Sequence, residues 1–270
     1  MVNYAPIQLD GTVEGDFVPV VDDRDWETIL RARSDFRRWI RGAPEGVTQV
    51  SGRVSEVLDL SNPTTTPLFT QATAALRPVL SNPDVELSSA LTFAVTNRMT
   101  RVAELVDFTK AYTMAAIFRP TNKESAEAYR VIAGAQDGTT NRHGILGVRR
   151  NQTDPVGSTA TVTFGQGNGS INSLGHAWDA MHLAIASFDG ASQLDLDVDN
   201  LAATPITVTS ALATSAYQLG FLQAGYGWAG EIFDLVYFQA GKSTQLYAQI
   251  KNLAKSVWPA LPFTAPDVPA

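Results

Sequence analysis

The chain has 270 residues, 44% of them hydrophobic and 17% charged, with a formal net charge of −7 at pH 7 and no cysteine. That charge repels phosphate backbones and argues against nucleic acid as a ligand. The lack of cysteine rules out disulfides, thiolate nucleophiles and sulfur-bound metals, and the apolar content calls for a packed core rather than disorder.

In chain order, residues 1–22 mix short apolar runs with Pro6, Gly11, Gly15 and Pro19, which suits an extended arm held by a partner surface or, failing that, by its own domain. The opening MVNYAPIQLDGTVEGD lacks the basic and apolar regions of a signal peptide, and no run reaches the length of a membrane span. A soluble protein made in a cytoplasm is expected. From Asp25 to Arg41, apolar Trp26, Ile29, Leu30, Phe36, Trp39 and Ile40 fall roughly on one helical face, with arginines around them. An amphipathic helix is expected here. Trp26, Ile29, Phe36 and Trp39 are its candidate attachment or oligomerisation residues, although aromatics so placed also suit packing against the chain's own domain.

Gly42 and Pro44 end that helix, and short strands are expected at 54–60, 85–93 and 102–106. Tyr112–Phe118 is apolar on both faces and reads as a central strand. Further strands are expected at 129–133 and 145–149, separated by the polar loop GAQDGTTNRHG, and at 159–164, ending in the glycine-rich turn GQGNGS. Met181–Phe188 is a second run buried on both faces. Asp189 and Gly190 then supply a turn, after which Leu194, Leu196 and Val198 alternate with Asp195, Asp197 and Asp199 as a strand with one dry and one wet face. Strands at 206–209, 217–222 and 231–238 continue the series. Ser243 caps a helix whose Leu246, Ile250, Leu253 and Val257 share a face, and Pro259 stops it. More than ten short strands with two helices predict an all-β sandwich.

The order of elements carries a resemblance. A Phe108–Thr113 strand is followed by Trp178 and an apolar strand closing on Phe188, Asp189 and Gly190, then an L-x-L-x-V-D turn at 194–199 and a Gly230–Tyr237 strand. This series resembles the laminin G-like, concanavalin A-like jelly roll over roughly residues 50–258. That family includes lectins, glucanases and many spike, fibre and decoration proteins of tailed bacteriophages and gene transfer agents. The resemblance implies a concanavalin A-like jelly-roll sandwich at 46–258, with residues 1–45 as an N-terminal arm plus short helix for attachment, a C-terminal helix, and a tail at 259–270. An acidic, cysteine-free domain of this kind looks most like a structural virion protein, a trimeric spike or fibre subunit in contact with host-surface polysaccharide and other virion proteins. A polysaccharide-cleaving enzyme of the same fold and a free lectin are the alternatives.

For glycan binding, Tyr226 and Trp228 lie in a glycine-rich turn, and Asn141, Arg142 and His143 lie in a long polar loop; such residues supply ring faces and hydrogen-bond donors to sugars. The ordinary reading of Trp228 is that it plugs the edge of the sandwich. Alternate aspartates at 195, 197 and 199 sit about 6.8 Å apart along a strand, close to glycosidase carboxyl separations. The glucanases of this family, however, show a motif like E-x-D-x-x-E, so an ordinary solvent-facing row is expected, with calcium binding a lesser option. His143, His176 and His182 match no zinc spacing, and His182, inside a core strand, is expected as a hydrogen-bonded buried imidazole. No cofactor, metal or catalytic residue is assigned.

Overall fold

Tyr112–Pro120 (β8) and His182–Phe188 (β13) run side by side, Ala116 opposite Ala184 and Tyr112 opposite Phe188, and every residue of β13 is buried. A strand buried on both faces needs cover on both, and the computed structural model of the chain shows what supplies it. The structure describes residues 28–29, 31–61, 67–82, 89–121, 130–137, 141–150, 159–209, 215–221 and 226–264. Among these, two nine-stranded antiparallel sheets face one another. Sheet one runs β15 (Leu201–Ala202), β14 (Gln193–Val198), β13, β8, β18 (Gly230–Phe238), β6 (Ala90–Phe93) and β5 (Val79–Ser81), with β16 (Ile206–Thr207) on β14 and β1 (Phe36–Arg41) on β18. Sheet two runs β12 (Gly169–Ala177), β11 (Thr159–Gly167), β10 (Asn141–Arg150), β9 (Arg130–Asp137), β17 (Gln218–Leu219), β7 (Met99–Arg101), β4 (Pro67–Thr70), β3 (Arg53–Leu58) and β2 (Val47–Val50). The architecture is the expected all-β sandwich with a C-terminal helix.

Met114, Ala116, Phe118, Ala184, Ala186, Phe188, Leu194, Leu196 and Val198 point between the sheets. The opposite face of sheet one carries Ala115, Ile117, Leu183, Ile185, Phe233 and Val236, and the helix Thr244–Val257 lies over it through Leu246, Ile250, Leu253 and Val257. Ser243 caps this helix as expected, its Oγ accepting the Leu246 N–H at 3.1 Å. Leu261 and Phe263 extend the same apolar layer. Among the described residues no helix is long and apolar enough to cross a membrane.

The expected helix at 25–41 is corrected over its second half. Residues 28–29 and 31–32 are helical, but Phe36–Arg41 is a strand paired with β18, Ile40 opposite Leu235 and Trp39 opposite Val236. Trp39 and Ile40 are adjacent and both buried because they face opposite layers, Ile40 the space between the sheets and Trp39 the layer under the helix. Burial on both faces removes the period-2 alternation that identifies a half-exposed strand. The sandwich therefore starts by residue 36 rather than 46. Asp234, 1% exposed, ties the segment down: Oδ1 accepts from Trp39 Nε1 at 2.9 Å and from Arg41 Nε at 3.1 Å, while Oδ2 accepts from Trp258 Nε1 at 2.8 Å.

Asp195 and Asp197 are also corrected, from a solvent-facing row to buried groups at 5% and 8% exposure. The C-terminal helix and its approach cover them, with Lys242 Nζ on Asp195 and Lys251 Nζ on Asp197, each at 2.8 Å. Asp199 and Asn200, at φ 52° and 69°, form the two-residue turn between β14 and β15, the left-handed geometry a type I′ hairpin requires.

Replacing Asp234 by Ala removes the acceptor shared by two buried indole N–H groups and the Arg41 guanidinium. Urea unfolding of Asp234→Ala is expected to show a loss of about 3–5 kcal/mol, whereas a loss below about 1 kcal/mol would mean that β1 is not held by this carboxylate.

Candidate functional site

Residues 102–111, between β7 and β8, form no strand, although Val102–Val106 reads as one. The reason lies in Asp107, whose Oδ1 accepts the Thr109 N–H at 3.0 Å and the Thr109 hydroxyl at 2.5 Å, an Asx-type turn that ends extended backbone. Gln239 holds the loop from β18's side, its Oε1 accepting the Asp107 N–H at 2.7 Å and its Nε2 donating to the carbonyls of Asp107 and Ala111. Phe108 points inward, 3% exposed, stacked on Tyr217 with centroids 5.2 Å apart and 25° between planes, and edge-on to His143 at 4.1 Å.

Gln166, fully buried on β11, joins this loop to sheet two. Its Nε2 donates to the Phe108 carbonyl at 3.1 Å, and its Oε1 accepts the Gly144 N–H at 2.8 Å and the Tyr112 hydroxyl at 3.0 Å. Gly144 sits at φ 54° in a bulge of β10, where pairing to both neighbouring strands shifts register, and a Cβ there would lie 2.6 Å from the Phe108 ring. The Gly144 carbonyl accepts from Tyr217 Oη at 3.0 Å, so Tyr237 Oη, 3.2 Å from Tyr217 Oη, donates to it in turn. Burial pushes the Tyr112, Tyr217 and Tyr237 phenols up, which keeps all three as donors.

The bulge aims His143 into a rim cavity of about 430 Å³ lined by Arg101, Val102, Ala103, Glu104, Asp107 and Thr109, among others. Polar and apolar groups are mixed there: Val102 is 55% exposed, and Arg101 lies over the Tyr217 ring at 5.7 Å. Hydrogen bonds from the Thr109 hydroxyl, from Lys110 and from the Thr109 N–H hold the Asp107 carboxyl down to about 2, so it is ionised at any ordinary pH. The lining thus offers a guanidinium, a fixed carboxylate, a hydroxyl and an imidazole around a small apolar patch.

The expected glycan residues separate. Asn141, Arg142 and His143 are on β10 rather than in a loop, because β9 runs to Asp137 and β10 begins at Asn141. Of the three only His143 lines the cavity; a side chain at Gly165 would meet Arg142 Cδ, so Arg142 lies along β11. Trp228 is corrected outright: it is 0% exposed and packs edge-on against Phe118 at 5.8 Å, plugging the sandwich. The Tyr226 carbonyl accepts the Val131 N–H, four residues along β9 from Ala135, the partner of His143, about 13 Å away at ~3.3 Å per residue. Tyr226 does not line the cavity. Of the expected attachment residues, Trp39 is 2% exposed, Phe36 packs on Phe238 with centroids 5.6 Å apart, Ile29 is 38% exposed, and Trp26 lies outside the described residues. The cavity itself was missed, and the signal for it was the Asp-x-Thr spacing at 107–109.

A second cluster of chemistry-bearing groups lies at the other end of β11. His182 is a hydrogen-bonded buried imidazole as expected, with Nδ1 2.6 Å from Asp199 Oδ2 and Nε2 2.7 Å from the Ala177 carbonyl. His176 Nε2 is 2.8 Å from Ser173 Oγ, and its Nδ1 is 3.6 Å from the same Asp199 oxygen. Burial pushes the Asp199 carboxyl up, but the two imidazoles and the Leu183 N–H outweigh it and hold the group below its ordinary value. The hydrogen-bonded series Ser173, His176, Asp199 has the groups of a hydrolase triad, with Ser173 5% exposed.

No family model matches the sequence, and no curated protein matches it. Among solved structures, the chain is similar to domain 4 of AbnA, a GH43 extracellular arabinanase from Geobacillus stearothermophilus in complex with arabinotriose, at 12% identity and TM-score 0.47 over 66% of this chain and 81% of that one. It is similar to the binding domain of Paraclostridial Mosquitocidal Protein 1 at 7% identity and TM-score 0.49, over 79% and 50% of the two chains. The binding domain of Botulinum Neurotoxin DC in complex with SialylT gives 8% and 0.49, over 84% and 52%. The chain spans about half the length of these two toxin domains.

If Gln166 organises the rim, Gln166→Ala leaves Phe108 O, Gly144 N–H and Tyr112 Oη without their partner. Chemical denaturation is expected to show a loss of about 3 kcal/mol; a variant as stable as the parent would refute that role.

Proposed function

We propose that this chain is a non-catalytic carbohydrate-binding protein whose rim cavity grips one sugar unit of a host-surface polysaccharide. We further propose that it serves on the virion of a tailed bacteriophage or gene transfer agent, as a subunit of a trimeric spike or fibre. The observation that carries the binding reading is the lining of the cavity: Arg101, Asp107, Thr109 and His143 converge around Val102 and Ala103 in about 430 Å³, within the size range of small-ligand sites. A sugar presents dense hydroxyls, each needing a donor or acceptor, beside apolar C–H faces, and this lining offers both. The loop that supplies it is already fixed by Gln166 and Gln239, so little ordering is needed on binding.

The non-catalytic reading is supported by the engagement of Asp195 and Asp197 with Lys242 and Lys251 beneath the helix, where they serve packing rather than a substrate. Attachment falls to residues ahead of β1, Trp26 and Ile29 among them, since Trp39 and Phe36 are used within the sandwich. Three copies would present three weak sites together and gain avidity.

Binding of the full chain to a panel of bacterial surface polysaccharides tests the first part. Arg101→Ala and Thr109→Ala are each expected to weaken retention, the former about tenfold or more, the worth of one charge-assisted hydrogen bond; Tyr226→Ala should leave it unchanged. Loss on Tyr226→Ala with Arg101→Ala unaffected would move the site to the other end of β9. For the virion role, purified particles are expected to contain the chain, and removing residues 1–27 to release it with polysaccharide binding intact. Particles that never contain it would end that reading.

A further inference from the structure

The geometry points to a divalent-metal site of the zinc type at His176, His182 and Asp199, which clips the edge of one sheet to the other. This inference is independent of the carbohydrate reading and involves the opposite end of β11. The three groups come from three places in the fold: His176 from β12 of sheet two, His182 from the first position of β13, and Asp199 from the β14–β15 turn of sheet one. One ligand atom from each lies within 4.8 Å of the other two.

The partners on the far side of each group fix which atoms face inward. The Ala177 carbonyl can only accept, so His182 Nε2 carries a proton, and its Nδ1 is turned to Asp199 Oδ2. His176 Nε2 pairs with the Ser173 hydroxyl at 2.8 Å, and His176 Nδ1 is likewise turned to Asp199. Asp199 Oδ1 accepts the Leu183 N–H at 2.9 Å, which leaves Oδ2 free to point between the rings. Two ring nitrogens and a carboxylate oxygen therefore converge, and such a set requires positive charge at its centre. A proton on His182 Nδ1 satisfies the 2.6 Å pair, but His176 Nδ1, at 3.6 Å, is beyond a good hydrogen bond.

A metal satisfies all three. Bonds of ~2.0 Å in tetrahedral geometry place ligand atoms about 3.3 Å apart, so the 3.6 Å separation already fits and the 2.6 Å one opens by roughly 0.7 Å. The hydrogen bonds to Ala177, Ser173 and Leu183 are the outer contacts that orient metal-bound histidine and carboxylate. With two imidazoles and a single carboxylate, the donor set suits zinc, cobalt or nickel rather than calcium or magnesium, which need more oxygens. On binding, both imidazoles coordinate through the Nδ1 lone pair, water takes the fourth position, and any proton held at either Nδ1 passes to solvent. Because ligands from both sheets meet only in the folded chain, the bound ion stabilises the fold.

The test uses the full chain, stripped with chelator and titrated with Zn²⁺ by calorimetry, then with Co²⁺ by visible absorption. Expected are one equivalent of Zn²⁺ per chain, the d–d bands of a tetrahedral Co²⁺ site, and a folding equilibrium shifted about 100-fold when free Zn²⁺ is 100 times Kd. His176→Gln, whose amide keeps a hydrogen bond to Ser173, and Asp199→Asn are each expected to abolish uptake. Circular dichroism checks that each is folded, and His176→Gln decides the matter if Asp199→Asn is not. No uptake by the parent chain, or uptake undiminished in folded His176→Gln, would overturn the assignment.

Discussion

A buried primary amide can both donate and accept, and in this fold Gln166 donates once and accepts twice across three segments that share no local sequence: the loop at Phe108, the bulge at Gly144 and the start of β8 at Tyr112. Each contact constrains the next. The Phe108 carbonyl fixes a ring that fills the end of the sandwich, that ring leaves room only for glycine at 144, and the bulge so created turns His143 toward the rim. Because Gln166 is fully buried, a partner left unpaired there is costly, and the three bonds support one another. The cavity at the rim is the outer surface of this internal wiring, which is why a loop without regular structure can present a fixed set of polar groups.

Elements whose environment is the same along their length were legible. β8 and β13 are continuous apolar runs because sheet one is covered on both faces, and the C-terminal helix announces itself through Ser243 and a clean apolar stripe. Where cover comes from a distant segment, local patterning misleads. Trp39 and Ile40 mimic a helical face because the C-terminal helix, some 200 residues later in the sequence, buries the outer side of β1. The row Asp195–Asp197 reads as a wet face for the same reason; its wet side is occupied by Lys242 and Lys251, whose positions no alternation rule contains.

The candidate site was legible in part. His143 was singled out, and the structure does place it at the cavity; Asn141 and Arg142 share its strand end but not the lining, and Trp228 went to the core. Val102–Val106 carries strand-like composition, yet Asp107 and the two glutamines satisfy the backbone in another way, and hydrogen bonds contributed from 58 and 132 residues away have no sequence signature. The Asp199 cluster is a similar case. His176, His182 and Asp199 fit no linear metal motif because their convergence is created by sheet register: His176 lies opposite Ala160, His182 opposite Phe118, and Asp199 in a hairpin turn.

The two places lie at opposite ends of β11, Gln166 near one and Ala160, partner of His176, near the other, about 20 Å apart at ~3.3 Å per residue. Recognition at one rim and a clip across the other edge can therefore coexist on one sandwich. The central claim concerns the first. A crystal structure of the chain soaked with the repeat unit of the polysaccharide it retains best would test it most directly: the account predicts a sugar ring against Val102 with hydroxyls on Arg101, Asp107 and Thr109, while a sugar bound at the Tyr226 end or on the outer face of sheet two, with the rim empty, would contradict it.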